Sequence, residues 1–259
     1  MMEITSRQNP RYKFACSLDS KRARKQAGAL LVEGSLEIKA MLAAKLEILD
    51  LMYCGEYASD TENNLVVAAE NQSGRRRMLL STALMAKLSY RKSSGLVVVC
   101  KPPVIIAPEA LVSGLVLILE EPAKPGNLGA IVRTASGLGA SAVVTIGSSV
   151  DCWNANAIRA SIGSVFGFPV LHYGSWDAFL SEHHGLELVG MHPDGQQIHQ
   201  STSTPQDVGL VFGTESAGLS PEAKQACQRL VRIPMSGVVD SLNLSVCVGI
   251  ATYAWKHQN

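Results

Sequence analysis

Long apolar runs are missing from this sequence. None approaches the roughly 20 residues needed to span a bilayer, so no membrane-spanning helix is expected. The opening stretch MMEITSRQNPRYKF has no apolar core and no small-residue cleavage site, so an export signal is not expected and the chain reads as cytoplasmic. C-x-x-C pairs are lacking too. Cys16, Cys54, Cys100, Cys152, Cys227 and Cys247 are scattered singly, which fits reduced thiols better than disulfides or zinc. His183, His184, His192 and His199 lie in loop-like stretches with no acidic or thiol partner at ligand spacing, so no metal is expected. The nucleotide and hydrolase signatures G-x-x-x-x-G-K-[ST] and G-x-S-x-G are absent. Gly137-x-Gly139-x-x-Ala142 imitates a dinucleotide fingerprint, but a helical pattern precedes it and a strand pattern follows. The phosphate turn runs the other way, so this reads as the glycine stop of a helix.

What the chain does have is a hidden charge asymmetry. Its net charge is only +1, yet residues 1–101 hold 16 Lys and Arg against 10 Asp and Glu, and residues 102–259 hold 7 against 12. The basic residues also cluster, as Arg7, Arg11 and Lys13, as Lys21, Arg22, Arg24 and Lys25, as Arg75 to Arg77, and as Arg91-Lys92. One such run is usually a solvated face, but repeated runs in one half point to a nucleic-acid-binding half.

The same division appears in the element pattern. Short alternating elements fill the first half: helices over 21–27, 35–44 and 82–88, and strands over 29–32, 46–53, 66–69 and 95–100. A proline-rich stretch over 102–111 then reads as a linker. Beyond it come longer repeats. Strands are expected over 115–119, 142–146, 168–172, 186–191, 208–212 and 230–233, and helices over 128–138, 176–183, 221–228 and 242–255. The continuous apolar strands fit a parallel sheet with helices on both faces. The expected domains are 1–101 and 112–259.

Polar residues recur at the C-terminal ends of these strands, where open α/β sheets bind ligands. Asn127, Gly129 and Arg133 form N-x-G-x-x-x-R. Gly213, Glu215, Gly218 and Leu219 form G-x-E-x-x-G-L. Ile233-Pro234-Met235, Gly237, Ser241-Leu242-Asn243 and Ser245 form I-P-M-x-G-x-x-x-S-L-N-x-S. Read locally, Ser241 serves equally as a helix N-cap. Asn243, one turn into an apolar helix, needs a partner for its amide. Arg159-Ala160-Ser161-x-Gly163 with Phe166 and Pro169 makes a fourth block. Together, in this order, the four resemble the SpoU/TrmH family of the SPOUT class, AdoMet-dependent RNA ribose 2′-O-methyltransferases, over about residues 112–256. The first 100 residues more loosely resemble the substrate-binding extension of members acting on ribosomal RNA, which is similar to small kink-turn-binding ribosomal proteins.

The resemblance implies a C-terminal trefoil knot holding AdoMet in a bent form, preceded by a small α/β RNA-binding domain. It implies a homodimer joined through the C-terminal domain. It implies AdoMet contacts, mainly backbone, around Gly213, Ile233, Met235 and Leu242. Arg133 matches the family's essential arginine. As a guanidinium it is a poor base, so its part as base or as positioning group stays open. Asn127 would fix the loop and Arg133, Glu215 would orient the arginine or the cofactor loop, and Ser241 and Asn243 would hold the ribose or the loop near the methyl. Arg7, Arg11, Lys21, Arg22, Arg24 and Arg159 are the expected RNA contacts. Lys124, Thr214 and Asn154-Ala155-Asn156 depart from the family's usual residues, which bears on which RNA is modified. A transfer-RNA methyltransferase and a non-catalytic RNA-binding assembly factor are the alternatives.

Overall fold

The computed structural model describes residues 2–90, 94–104, 113–200, 207–237 and 241–257. By internal contacts the chain divides into two compact units, one of Met1–Val104 with Trp153–Gly167 and one of Ile105–Cys152 with Phe168–Asn259. Arg91-Lys92 and most of the expected linker lie outside the described residues.

The first unit is built on a five-stranded sheet. Its strands are β1 (Met2–Ile4), β2 (Leu30–Glu33), β3 (Ile48–Tyr53), β4 (Met78–Leu80) and β5 (Leu96–Cys100), in the order β1-β4-β3-β5-β2. β1, β4 and β3 are parallel, and β5 is antiparallel to β3 and β2. Helices α1 (Pro10–Ser17), α2 (Lys21–Ala27), α3 (Ser35–Ala43), α4 (Asp60–Ser73) and α5 (Thr82–Leu88) connect them. Ser20 caps α2 through Ala23 N–H, and Gly28 ends it in the left-handed conformation, as expected. The strand expected over 66–69 is instead the middle of α4. Ser59 and Glu62 form a capping box that starts this helix, and Gly74 stops it. Glu62, Val66, Ala69 and Glu70 are its buried face, spaced as a helix requires. Local apolar content at 66–69 therefore yields to the caps. Strands β1 and β4, three residues each, and helix α1 were not expected.

The 153–167 segment belongs to this unit. Asn154 caps a helix over Ala155–Ala160, and Trp153 stacks on Phe166 at 6.4 Å between ring centroids. Gly163, at φ 75°, presses on α3, where a Cβ would come within 2.6 Å of Ala40 Cβ.

The second unit is a six-stranded, wholly parallel sheet. Its strands are β6 (Leu115–Glu120), β7 (Ala142–Ile146), β8 (Val170–Tyr173), β9 (Glu187–Gln197), β10 (Val208–Phe212) and β11 (Arg229–Arg232), ordered β11-β9-β10-β6-β7-β8. Helix α6 spans Pro125–Gly137 and α7 is the Ala155–Ala160 helix already described. Then come α8 (Trp176–Glu182), α9 (Pro221–Ala226) and α10 (Leu244–Lys256). Val116, Ile118, Val144 and Leu171 pack with Trp176 and Phe179 of α8 and Ala223 of α9. The alternate residues Leu117, Leu119 and Val143 are equally buried, so both sheet faces are covered, and α10 packs on α6 and β10. Gly139 follows α6 at φ 69°, the glycine stop read from the sequence.

β9 runs six residues past its expected end at 191. Its pairing with β11 jumps from Leu230–Gly190 to Val231–Gln196, so residues 191–195 bulge out of the ladder. A Cβ on Gly195 would lie 2.5 Å from Val231 N, so the return strand passes tightly there. This bulge shapes the site described next.

Candidate active site

Three loops at the C-terminal ends of the parallel strands converge. The first opens α6, where Pro125 occupies the first turn and Asn127 follows, half-buried. The second leaves β10 at Gly213 and closes on itself. Thr214 and Gly218 exchange backbone hydrogen bonds of 3.0 Å each, and Ala217 N–H donates to Thr214 Oγ1 at 3.0 Å. A Cβ on Gly213 would run into the Gly218 carbonyl carbon, so only glycine fits. The third contributes Ile233–Gly237, after β11, and Ser241–Asn243, before α10.

Asn243 is the N-cap of α10, which corrects the reading of Ser241 as cap and of Asn243 as a residue within the helix. Its Oδ1 accepts from Ser245 N–H at 2.9 Å and from Ser245 Oγ at 2.7 Å. With the oxygen engaged, the amide nitrogen is the group left to face Asn127. Nδ2 of Asn243 donates to Asn127 Oδ1 at 3.2 Å, and Asn127 Nδ2 in turn donates to Glu215 Oε1 at 2.9 Å. Each amide orientation dictates the next, and the chain ends on a carboxylate that accepts. Residues 88 and 116 positions apart in sequence are thus tied into one line.

Beside this line is a cavity of about 650 Å³. Gly213, Glu215, Ile233, Met235, Ser241 and Leu242, all expected at the site, border it. The sequence reading missed its other walls. Met191, His192 and Pro193 enter from the β9 bulge, Arg232 from the end of β11, and Cys247 from the first turn of α10. Pro193-Asp194-Gly195, a turn signal inside a strand pattern, marks the bulge in the sequence. His192 Nδ1 lies 3.2 Å from Asp194 N and 3.6 Å from Asp194 Oδ2, so Asp194 fixes the ring's orientation. Burial pushes the Cys247 thiol up to about 11, so this sulfur is no nucleophile at neutral pH.

Arg133 is not among the residues bordering the cavity. It lies exposed on α6 and makes no hydrogen bond or ion pair with the described residues.

The expected RNA-contacting residues separate into two kinds. Arg7, Lys21, Arg22 and Arg159 are exposed. Arg11 is half-exposed, 3.2 Å from Asp50 Oδ1. Arg24 is buried, and its Nη1 donates to the Leu18 and Asp19 carbonyls at 2.7 Å each. Its assignment to RNA is therefore corrected: the guanidinium closes the turn between α1 and α2. Within the Arg75 to Arg77 run, Arg75 Nε donates to the Ile48 carbonyl and Arg77 pairs with Glu70 at 2.7 Å.

The matches to known proteins agree with this geometry. Residues 114–253 match the model of the SpoU rRNA Methylase family, which covers more than half of the chain. The chain belongs to that family. Residues 9–98 of this SpoU chain match an MRM3-like substrate binding domain. A 23S rRNA (guanosine-2′-O-)-methyltransferase of Coxiella burnetii is 27% identical over 88% of this chain and 95% of its own. A crystal structure of an AdoMet-bound rRNA methyltransferase from Sinorhizobium meliloti superposes with a TM-score of 0.85 at 26% identity, covering 98% and 97% of the two chains. An RNA 2′-O ribose methyltransferase structure gives a TM-score of 0.81 at 31% identity, covering 99% of each. Among the described residues, no group of His, Cys, Asp and Glu could hold a metal, and no helix is long and apolar enough to cross a membrane.

Proposed function

We propose that this SpoU chain transfers the methyl group of AdoMet to a ribose 2′-hydroxyl of ribosomal RNA. The observation that carries this is the Asn243–Asn127–Glu215 line, which reaches the cavity at Glu215. The residues present fit AdoMet. The volume is within the range of roughly 300–1,000 Å³ usual for small-ligand sites. Gly213 borders the cavity through its backbone, and Ile233, Met235 and Leu242 offer apolar walls to an adenosine. Glu215 and Arg232 bring opposite charges to the same cavity, suited to a zwitterionic amino-acid tail.

When bound there, AdoMet supplies a methyl on a positively charged sulfur. The chain's own residues then position the acceptor. The asparagine line holds three loops in register, so a ribose hydroxyl meets a preformed rim. Orientation of this kind is worth roughly 7–11 kcal/mol at best. The contribution of the Arg133 guanidinium is electrostatic: stabilising charge as it develops on the 2′-oxygen, or holding a neighbouring phosphate.

Arg133 stands outside its own chain's cavity, and we infer that it serves the cavity of a second copy. Homodimerisation is supported by α10, where Val246, Ile250 and Tyr253 are 48%, 42% and 57% exposed on the helix that packs against α6. Spacing by four and three residues puts them on one face, suited to a two-fold contact. We extend the family likeness to the trefoil knot of the C-terminal segment, supported by the way 213–218, 232–237 and 241–242 flank one cavity. Residues 1–101 are assigned to substrate binding, 102–111 to a linker and 112–259 to the methyltransferase domain, of which 153–167 packs within the first unit. The likeness to the Coxiella burnetii 23S rRNA methyltransferase and the Sinorhizobium meliloti rRNA methyltransferase favours ribosomal over transfer RNA, and with it a cytoplasmic site of action. The test is to incubate the protein with ribosomal RNA and methyl-labelled AdoMet, digest to nucleosides and separate them by mass spectrometry. A 2′-O-methylnucleoside is the expected product. Label on a base, or none, would reject the proposal; a product only with transfer RNA would move it to the alternative substrate.

A further inference from the structure

The first unit carries an exposed aromatic residue that its core does not use. Tyr90 follows α5 and is 53% exposed. Its surroundings nevertheless hold it in place. The buried carboxylate of Glu33 accepts from Ser89 Oγ at 2.6 Å and from Tyr90 N–H at 3.0 Å, both on Oε2. The guanidinium of Arg159 sits over the Tyr90 ring, 5.0 Å from its centroid. Arg159 Nη2 also donates to Asn156 Oδ1 at 3.2 Å, which steadies the charged plane. The segment bearing Arg159 is fixed by the close approach of Gly163 to Ala40 and by the Trp153–Phe166 stack. The exposed ring is thus held by the buried Glu33 and Ser89, and the exposed cation by Asn156 on a segment packed within the first unit.

Aromatic rings and arginine planes are the groups on which proteins stack unpaired bases, and arginine also takes the adjoining phosphate. Bases inside a duplex are already stacked and cannot offer a face. We propose that Tyr90 and Arg159 form a stacking platform for one unpaired nucleotide of the RNA substrate, the base against the tyrosine ring and its phosphate on the guanidinium. The proposal rests on the RNA-methyltransferase reading and adds to it that the substrate must present a loop, bulge or end to the first unit. Tyr90, which carried no signal of its own in the sequence, becomes a binding residue.

The test uses the full-length protein and a short single-stranded RNA with one 2-aminopurine, whose fluorescence is quenched on stacking. The wild type should quench the probe, and a blunt duplex of the same length should compete poorly. Tyr90→Phe, which keeps the ring, should behave as wild type. Tyr90→Ala should weaken binding about tenfold, the order of one lost stack, and abolish the quench. Tyr90→Leu, which keeps bulk without a π face, should do the same and guards against a folding defect in the alanine variant. Arg159→Gln should weaken binding and flatten its salt dependence. Wild-type affinity and quench in folded Tyr90→Ala and Tyr90→Leu would overturn the proposal, as would a fall in thermal stability as their sole change, which would make the pair a structural clamp. Either result would leave the methyltransferase reading intact if those variants still methylate ribosomal RNA. Loss of methylation by the wild type itself would instead reject that reading.

Discussion

The two units treat their polar residues in opposite ways. In the first, much of the charge that stands out in the sequence is used internally: Arg24 closes a turn, Arg75 bonds a strand carbonyl, and Arg77 pairs with Glu70. In the second, isolated polar residues far apart in sequence meet at one rim, where Asn243, Asn127 and Glu215 form a single line. Counting charge locates a basic half but cannot say which cations are free. Motif spacing at strand ends picks out residues that lie near one another in the fold, because the parallel sheet brings those ends together.

The comparison predicts that a free arginine and a bound one fail differently. Arg133→Ala should leave AdoMet affinity by calorimetry near wild type and lower turnover about a thousandfold, the scale of losing a charge-stabilising donor. Mixed with Leu242→Arg, a chain whose own cavity is blocked, it should regain part of the wild-type rate, since each copy supplies what the other lacks. Unchanged turnover in Arg133→Ala, or no rescue, would break the assignment across the two-fold. Arg24→Ala should instead lower folding stability by about 3 kcal/mol, since it strips a charged donor from two carbonyls, one of them buried. If urea melts show no loss, Arg24 is not the structural cation described here.

Smaller effects sharpen the same contrast. Arg7→Gln with Arg22→Gln should leave the melting curve in place and weaken RNA binding. The slope of log affinity against log salt should fall by about 1–2, one step per lost phosphate contact. A shifted melt with an unchanged slope would put these residues with Arg24. Glu70 gives the smallest signal. The hydrogen bonds from Arg77 hold its carboxyl down to about 2, from an ordinary 4.5. A depressed folded-state value stabilises above the ordinary value, and that contribution is lost as pH falls from about 5 towards 2. Glu70→Gln should therefore cost up to about 2 kcal/mol at neutral pH, less where solvent screens the pair, and flatten the acid limb of stability in that window. An acid limb identical to wild type would show the pair to be immaterial.

The order of the second unit was legible before any coordinates. Strands 142–146 and 208–212 and the glycine stop after α6 match the structure, because continuous apolar runs and glycine act locally. The strand expected at 66–69 failed because a capping box seven residues upstream outweighs a short apolar run. Pro193-Asp194-Gly195 marks the β9 bulge locally, but that the bulge makes the His192 wall depends on a register shift against β11, a long-range property. Gly213, Ile233, Met235 and Leu242 were nameable from the motifs. That Asn243 caps α10 and bonds Asn127 depended on how the chain returns to the sheet.

The most direct test of the central claim is a crystal structure of the full chain soaked with S-adenosylhomocysteine. The account predicts the ligand in the cavity bounded by Gly213, Ile233 and Leu242, with the Asn243–Asn127–Glu215 line intact beside it. Density for the ligand elsewhere, or an empty cavity at saturating concentration, would contradict it.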